Sequence, residues 1–351
     1  MRFTGVRAAA VVITAGLALA ACGQAADDGP SAAPVAAPVA APRAADPMAI
    51  ETCAGDGKPA VASIEPRQSN LAWYRTNNAS LQRIIKQNRL IVGTSGDVLL
   101  WGARNPETGQ LEGFDIEVLK RIAEAIKPGL PITYKVINYA NRLPVLAGQN
   151  VDGDQVDIDK VDVVAHTMTI NCARWNKILF STEYYRAGQK VLARYNPVTG
   201  KPLASSLADL KGQKVCAATG STNIDNLNTA NTEQGLEITP VEVDDLGECL
   251  VKFQQGAANA ITGDDTVLAG FAAQDKYSRV VGDRFSVEPY GLGFRPEDTG
   301  FAEFVNLLLE QWRSDGTLDD IWKATMGKGL DTSPPASPPA VYGRAGLVPA
   351  S

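Results

Sequence analysis

Two threonines and an arginine follow a largely apolar run near the middle of the chain. The run Val161–Ala165 predicts a buried strand, and it is followed by Thr167 and Thr169 and then by Arg174. A guanidinium group presents a planar fork of N–H donors that matches a carboxylate. Threonine hydroxyls and strand-end carbonyl oxygens can accept hydrogen bonds from an ammonium group. The stretch 161–181 therefore predicts half of a binding site for an amino acid. A buried strand followed by an arginine in an ordinary surface salt bridge is the alternative.

The sequence around these residues alternates strands with helices. Asp115–Ile126 carries apolar residues at helical spacing, and it lies between two predicted strands, Leu90–Gly93 and Ile132–Ile137. This β-α-β order implies right-handed crossovers and a largely parallel sheet, and the alternation returns in the second half of the chain. We therefore predict an α/β fold of two lobes, with the chain crossing near 184–190 and returning near 286–291. Ligand sites in such sheets lie beyond the carboxyl ends of the strands.

The composition is that of a soluble globular protein with low-complexity extensions. Hydrophobic residues make up 45% and charged residues 21% of the 351 residues, and this length suits two domains. Stretches rich in Ala and Pro near both ends cannot build a core. The predicted segments are a signal peptide (1–21), a lipid-anchored Ala/Pro-rich linker (22–60), lobe 1 (61–186 and 290–330), lobe 2 (187–289) and a disordered tail (331–351).

The N-terminus indicates export and lipidation. Arg2 and Arg7 precede the apolar run Ala8–Ala21, which is too short to span a bilayer and is typical of a signal peptide. The small residues before Cys22 resemble the lipobox of bacterial lipoproteins, which implies cleavage before Cys22 and lipidation of its thiol. An ordinary signal peptide with an incidental Cys22 is the alternative. We therefore expect an extracytoplasmic protein that an N-terminal lipid anchors to the cell membrane.

Four further cysteines lie in the exported part of the chain, where disulfides are permitted. Four cysteines allow three pairings. Cys216 and Cys249 fall within one predicted lobe, so we pair them, which leaves Cys53 with Cys172. The sequence contains no CxxC motif and a single histidine, His166, so we expect no metal site.

The charge of the chain argues against one class of partner. The formal net charge is −6, and the sequence contains no block of lysines and arginines. Nucleic acid is therefore not an expected partner. An acidic small molecule stays possible, because local charges decide a small-molecule site.

Several stretches, taken in order, resemble one protein family. Gly113–Val118, with the sequence GFDIEV, continues as LKRIAEAI and resembles the signature of the bacterial extracellular solute-binding proteins of family 3, which bind polar amino acids. The resemblance covers residues 80–326, and within the family it is most similar to the lipid-anchored glutamine, glutamate and aspartate binders of high-GC Gram-positive bacteria. It implies a periplasmic-binding-protein type II fold with two hinge crossings and no cofactor. Further matching stretches are Thr169–Arg174, FSTEYY at 180–185, Thr219–Thr222, Gly256–Asp264, YGLGF at 290–294 and DGTLDDIW at 315–322.

The resemblance assigns three residues of lobe 1 to the ligand. Arg174 matches the arginine that binds the α-carboxylate. Thr169 matches the hydroxyl that lies near the α-amino and carboxylate groups, and Thr167 matches a position whose backbone carbonyl accepts from the ammonium group.

In lobe 2 the resemblance points to a helix N-terminus and an acid. Ser221 and Thr222 match backbone donors to the α-carboxylate, since the first N–H groups of a helix have no partner within it and attract anions. Simple N-capping is the alternative. Asp264 matches the acid that pairs with the α-ammonium group. A helix N-cap is the alternative for Asp264, and the neighbouring Asp265 leaves the register open by one residue.

The ligand's side chain needs its own contacts. Arg104 is our candidate for a cation at the distal end of the site, and Trp101 is our candidate for packing against the aliphatic part of the ligand. Asp97 lies nearby and could orient Arg104 or select an amide ligand. A surface-loop arginine is the alternative for Arg104.

The sequence thus predicts a lipid-anchored receptor that captures a polar amino acid, acidic (Glu or Asp) or amide (Gln or Asn), and presents it to a membrane ABC permease. Presentation to a membrane sensor protein is an alternative use of the closed state. A dehydratase-type enzyme on the same fold is a further alternative. It is disfavoured because the predicted cleft groups all serve to hold a zwitterion and the sequence offers no Ser–His or Cys–His pair.

Overall fold

The computed structural model describes residues 48–330 and 334–348. Up to the first crossing between the lobes, the elements in chain order are β1 (Ser63–Ile64), α1 (Leu71–Asn77), α2 (Ala79–Gln87), β2 (Leu90–Thr94), β3 (Asp97–Val98), β4 (Gly102–Arg104), β5 (Leu111–Glu112), α3 (Phe114–Ile126), β6 (Ile132–Val136), a 3₁₀ turn (Ala140–Arg142), α4 (Pro144–Ala147), β7 (Val163–Val164), α5 (Cys172–Trp175), β8 (Leu179–Phe180) and β9 (Tyr185–Ala187).

The remaining elements are β10 (Gln189–Asn196), β11 (Lys201–Pro202), a 3₁₀ turn (Ala208–Leu210), β12 (Lys214–Ala218), α6 (Thr222–Gln234), β13 (Thr239–Val243), α7 (Leu246–Gln254), β14 (Ala260–Asp264), α8 (Asp265–Gln274), β15 (Ser278–Val281), β16 (Glu288–Tyr290), β17 (Gly293–Phe294), α9 (Thr299–Ser314), α10 (Thr317–Ala324), α11 (Met326–Leu330) and β18 (Tyr342–Arg344).

Helix α3 illustrates how the sequence directs the fold. The apolar residues that predicted a helix over Asp115–Ile126 are buried, and the helix packs against β2. Gly113 precedes the helix with φ +133°, and a Cβ at this position would lie 2.3 Å from the carbonyl oxygen of Trp101. The position therefore accepts only glycine.

The sheet of lobe 1 has the strand order β6-β2-β7-β17-β8. Strand β2 runs parallel to β6 and β7, whereas β17 runs antiparallel to β7 and β8. The predicted strand Val161–Ala165 is shorter than expected, because only Val163 and Val164 form the ladder. Thr167 and Thr169 follow β7, so they lie at the carboxyl edge of this sheet.

Lobe 2 has its own sheet, ordered β11-β10-β14-β12-β13, with β15 also paired to β10. Strand β12 runs parallel to β13 and β14. Two crossings join the lobes: β9 leads out of lobe 1, β16 leads back, and the two pair antiparallel with Tyr185 opposite Tyr290. The fold is therefore the predicted two-lobed type II fold, in which a paired hinge connects two α/β sheets.

Both predicted disulfides are present. Cys53–Cys172 joins residues 119 apart in the sequence, and Cys216–Cys249 closes a separation of 33 residues within lobe 2.

The terminal segments correct two of the predictions. The predicted linker 22–60 is wrong for residues 51–60, where Cys53 and Ala60 are buried. The predicted disordered tail 331–351 is wrong for residues 334–348, because β18 pairs in parallel with β1. Composition misled the prediction here, since backbone pairing, a disulfide and the buried Arg344 hold these segments rather than an apolar core of their own. The predicted signal peptide and Cys22 lie outside the described residues.

Within residues 48–330 and 334–348, every helix is too short or too polar to cross a membrane.

Candidate functional site

Arg174 lies at the carboxyl edge of the lobe 1 sheet. Its helix begins after Asn171, whose side chain accepts a hydrogen bond from the Arg174 N–H at 2.8 Å. The buried guanidinium group donates to the carbonyl oxygens of Thr169 at 2.7 Å and Gly220 at 3.3 Å. Burial, followed by the positive charge of Arg142, lowers the pKa of Arg174 to about 9. A buried cation that donates to neutral carbonyl groups gains strongly from an anionic ligand.

A second guanidinium group, that of Arg142, lies beside the first and was not among the predicted site residues. Arg142 is buried and donates to the carbonyl oxygens of His166 at 3.2 Å and Gly220 at 3.2 Å. Its guanidinium carbon also lies 4.6 Å from the centre of the Tyr139 ring, and burial lowers its pKa. Two cations of lobe 1 therefore converge on one carbonyl group of lobe 2.

The loop before α6 brings lobe 2 to these arginines. Gly220 has φ +72°, and a Cβ there would lie 2.8 Å from the Cα of Ala140 in lobe 1, so the close approach requires glycine. Ser221 caps the helix, since its Oγ accepts from the Ile224 N–H at 3.3 Å. The capping alternative therefore holds for Ser221. Because capping uses the Ile224 N–H, it is compatible with an anion at the first N–H groups of the helix.

Thr169 and Thr222 face each other from opposite lobes, and Glu288 joins them. Both hydroxyls donate to Oε2 of Glu288, at 2.6 Å from Thr169 and 2.7 Å from Thr222. The other carboxylate oxygen accepts from Asn226 at 2.9 Å and Ser286 at 2.6 Å. Glu288 lies in the returning crossing β16 and is buried. A fully hydrogen-bonded carboxylate at the hinge therefore connects the two halves of the site.

Asp264 ends strand β14 and points towards the cleft. Its carboxylate accepts from Asn223 at 2.7 Å and from the hydroxyl of Tyr290. Burial, followed by the negative charge of Glu288, raises the pKa of Asp264 well above its ordinary value. Asp264 occupies the N-cap position of α8, but its side chain makes no capping hydrogen bond.

The neighbouring Asp265 is placed differently. It is the first residue of α8, and its carboxylate accepts from Arg284 on the outside of lobe 2, with the Nε contact at 2.8 Å. Of the two adjacent acids, Asp264 is therefore the one that faces the arginines.

Thr167 has a left-handed backbone, with φ +42°. Its N–H donates to Asp115 at 3.0 Å, and the other oxygen of Asp115 accepts from Tyr184 at 2.6 Å. The Thr167 carbonyl, which we expected to accept from an ammonium group, accepts from Arg142 at 3.3 Å. Because a threonine at positive φ is strained, the buried Asp115 helps to hold the turn that presents this carbonyl.

Arg104 lies away from these residues, which corrects its prediction as a cleft cation. It is exposed on β4 and donates to the carbonyl oxygen of Gly109 at 2.7 Å within its own hairpin. Asp97 does not orient it, because Oδ2 of Asp97 accepts from the Gly247 N–H of lobe 2 at 2.7 Å. The surface-arginine alternative therefore describes Arg104.

Trp101 is fully buried at the hinge side of the cleft. Its ring packs edge-on against three aromatic rings, with centroid distances of 4.9 to 5.4 Å, from Phe114, Tyr185 and Tyr290. Tyr290 is the residue whose hydroxyl donates to Asp264. Trp101 thus supports the floor beneath Asp264, and packing against a ligand stays a prediction.

A cavity of about 290 Å³ lies at the edge of this site. Thr169, Thr222 and Glu288 line one side, and Glu51 of the N-terminal segment lines another. The N-terminal segment therefore reaches the rim of the cleft.

A two-lobed α/β fold with buried cations on one lobe and a buried acid on the other defines the class of two-lobed binding receptors. The comparisons agree with this class. Residues 90–328 match the family model described as bacterial extracellular solute-binding proteins, family 3. The chain belongs to that family, and it is a binding protein rather than an enzyme.

Two relatives and one solved structure illustrate the similarity. The ABC transporter glutamine-binding protein GlnH of Bacillus subtilis is 30% identical over 275 residues, which cover 78% of this chain and 90% of that protein. The glutamate-binding protein GluB of Corynebacterium glutamicum is 26% identical over 251 residues, which cover 70% and 80%. The structure of an ancestral arginine-binding protein bound to arginine has a TM-score of 0.59 and 30% identity, and the match covers 68% of this chain and 99% of that one.

Proposed function

We propose that this protein captures a polar amino acid with a carboxylate or carboxamide side chain between its lobes and delivers it to a membrane ABC permease. The arrangement of Arg174 and Asp264 carries this proposal. Arg174 is a buried cation of one lobe, and Asp264 is a buried acid of the other lobe whose charge acts on Arg174. An amino acid carries the complementary α-carboxylate and α-ammonium groups. Closing the lobes on such a zwitterion pairs the buried cation with the α-carboxylate and the ionised form of the buried acid with the α-ammonium group.

Arg142 supports the choice of side chain. Arg174 alone suffices for the α-carboxylate, so a second buried guanidinium group is available for another oxygen-bearing group of the ligand. Glutamate and aspartate offer a carboxylate, and glutamine and asparagine offer a carbonyl oxygen. Arg142 therefore takes over the role that Arg104 was expected to play.

The relatives support the same reading. GlnH and GluB are named for glutamine and glutamate, and GlnH is named as part of an ABC transporter. In this proposal Cys22 carries the lipid anchor, which holds the receptor at the outer face of the cell membrane, near its permease.

The proposal is tested by a thermal-shift screen of the purified protein against the twenty amino acids. A ligand at about 100 times its Kd stabilises the folded state by about 2.7 kcal/mol. Calorimetry with Glu, Asp, Gln and Asn then ranks the ligands that shift the transition. Arg174→Ala should abolish this binding, whereas Arg104→Ala, which removes an exposed arginine of the same lobe, should leave it unchanged. The absence of a shift with every amino acid would overturn the proposal.

A further inference from the structure

Helix α5, which carries Arg174, is held by segments from both ends of the chain. Cys172 forms the disulfide with Cys53, and the Cys172 N–H donates to Glu51 at 2.5 Å. At the other end of the helix, the indole N–H of Trp175 donates to the carbonyl oxygen of Ala60 at 2.8 Å. The N-terminal segment therefore contacts residues on both sides of Arg174.

The C-terminal segment also contacts α5, at Trp175. The Val348 N–H donates to the carbonyl oxygen of Trp175 at 3.3 Å. The guanidinium carbon of Arg344 lies 4.7 Å from the centre of the Trp175 ring, which is fully buried. A cation over a desolvated indole is a strong form of the cation–π contact.

Arg344 also ties the two terminal segments to each other. Its Nε donates to the carbonyl oxygen of Ala62 at 2.8 Å, and its Nη2 donates to that of Pro59 at 3.1 Å. Nη2 also lies 3.1 Å from Sγ of Cys53, and Nη1 pairs with Asp56. One buried arginine thus joins the N-terminal segment, the disulfide and the tryptophan beside Arg174.

The segments that make these contacts with α5 lie outside the part of the chain that matches the family model, which spans residues 90–328. The segments that hold α5 are therefore an addition to the matched fold. They are also not needed to build either main sheet, since β1 and β18 form a separate two-stranded sheet.

We propose that Arg344 is a positioning residue for ligand binding, which acts through Trp175 to hold Arg174 in the orientation that receives the α-carboxylate. The geometry requires this order: Arg344 touches Trp175, and Trp175 is the covalent neighbour of Arg174. This inference rests on the proposed function, because it assigns Arg174 to the ligand.

A double-mutant cycle tests the inference, with calorimetric affinities for L-glutamine and L-glutamate as the readout. Arg344→Met keeps most of the side-chain bulk over Trp175 but removes the charge and the hydrogen bonds. Arg174→Lys keeps a cation in the site but loses the planar fork. If Arg344 acts through Arg174, Arg344→Met should weaken binding about tenfold in the wild-type background and less than about twofold in the Arg174→Lys background.

Arg295→Met is the matched control for stability. Arg295 is another partly buried arginine of lobe 1, and it donates to the Val161 carbonyl at 2.6 Å and pairs with Asp162 at 3.3 Å, away from α5. This variant should lower the melting temperature as Arg344→Met does, but it should leave the affinity unchanged.

A second pair of variants covers the possibility that Arg344→Met fails to fold. Val348→Pro removes the N–H that donates to Trp175, whereas Val348→Ala keeps it. We expect weaker binding of L-glutamine and L-glutamate by the proline variant than by the alanine variant.

The outcomes separate the two proposals. Equal losses for Arg344→Met in both backgrounds, or a loss of stability with no loss of affinity, would overturn the positioning role alone. Equal affinities for the Val348 variants would do the same. If the wild-type protein binds none of the twenty amino acids, the proposed function fails, and this inference fails with it.

Discussion

The carbonyl oxygen of Leu99 in lobe 1 lies against Gly270 of helix α8 in lobe 2, at a distance of 2.9 Å from where a Cβ of residue 270 would stand. Leu99 belongs to the turn between β3 and β4, and Leu100 beside it has φ +76°. In the strand before this turn, the carboxylate of Asp97 accepts from the Gly247 N–H of α7, and a Cβ at Gly247 would lie 2.6 Å from that carboxylate. Two helical glycines of lobe 2 therefore make room for one hairpin of lobe 1 where the lobes meet.

Gly270→Ala should separate stability from affinity. Alanine is the better helix former by about 1 kcal/mol, so a ligand-free form whose lobes are apart at this contact should keep or raise its melting temperature. The added methyl group should obstruct the contact with Leu99 and weaken ligand binding about tenfold or more. Thermal melting without ligand and calorimetry with ligand measure the two effects. As a control, Ala273→Gly on the exposed side of α8 should lower the melting temperature and leave affinity alone. Unchanged affinity in Gly270→Ala would show that this contact does not belong to the ligand-bound state.

Arg142→Ala should reveal which arginine recognises the ligand's side chain. Removing one partner of a buried, hydrogen-bonded charge pair costs about 2 kcal/mol or more, which is about thirtyfold in affinity. The guanidinium group attracts the full negative charge of Glu and Asp but only the carbonyl dipole of Gln and Asn, so binding of Glu and Asp should fall more than binding of Gln and Asn. Arg142→Lys should restore part of the loss. Competition calorimetry across the four amino acids gives the answer, and equal losses for all four would assign Arg142 a structural role.

Ligand affinity should rise with pH because of Asp264. Burial and Glu288 raise its pKa, whereas Tyr290 and Asn223 oppose the shift through their hydrogen bonds. The α-ammonium group of the ligand requires the ionised carboxylate, so binding below the Asp264 pKa must release a proton. Calorimetry in two buffers with different ionisation enthalpies should detect this release, and Asp264→Asn should abolish it. An affinity that stays constant between about pH 6 and pH 8 would contradict the assignment.

The stability of the ligand-free protein should change in the opposite direction. The unfolded pKa of an aspartate is about 3.9, and the folded state of this protein holds the Asp264 proton more tightly. The folded state therefore binds more protons between the two pKa values, and the free energy of unfolding falls as pH rises through that range. Chemical denaturation at a series of pH values measures the trend, which Asp264→Asn should flatten.

Asp115 lies in the stretch that resembles the family signature, and we expect it to affect ligand binding through the Thr167 turn. Its pKa is raised to about 6, chiefly by burial, although Tyr184 and the Thr167 N–H oppose the shift. In Asp115→Asn, one acceptor becomes an NH₂ donor, so the Thr167 N–H or Tyr184 must change its hydrogen bonding. We expect a lower melting temperature and weaker ligand binding. A variant that loses stability but binds as tightly as the wild type would show that the Thr167 turn does not depend on Asp115.

Much of the fold was predictable because its signals are local. The helix over Asp115–Ile126 follows from apolar spacing, and the two sheets follow from the alternation of strands and helices. The disulfide Cys216–Cys249 was predictable because both cysteines fall within one lobe, and that pairing left Cys53 with Cys172. The placement of Arg174 at the carboxyl edge of the lobe 1 sheet was predictable because it follows a buried strand, and its contact with a ligand stays a prediction.

The remaining site residues depend on tertiary contacts that a sequence does not display. The sequence alone does not show which of Asp264 and Asp265 faces the cleft. The structure distinguishes them, because Asp265 pairs with Arg284. Arg104 was wrongly placed in the cleft, because the turn of its hairpin, which returns to Gly109, directs it outwards. Glu288 gave no signal, since its four donors come from both lobes and the hinge. Arg142 ends a short 3₁₀ turn, where an arginine is ordinary.

The terminal segments show a different limit. The tail contains two copies of Ser-Pro-Pro, and such composition is typical of chains without structure. Tyr342–Arg344 nevertheless forms a strand, because its backbone pairs with Ser63 and Ile64 and because Arg344 donates to a carbonyl oxygen of the N-terminal segment. Composition predicts whether a segment can fold alone, and this one folds on another part of the chain.

The contact between Val348 and Trp175 also bears on how the protein can be engineered as a fluorescent biosensor. A bulky reporter inserted close to Val348 would disturb the segment that supports α5. An attachment point in the exposed turn around Val198, in lobe 2, would leave that support untouched.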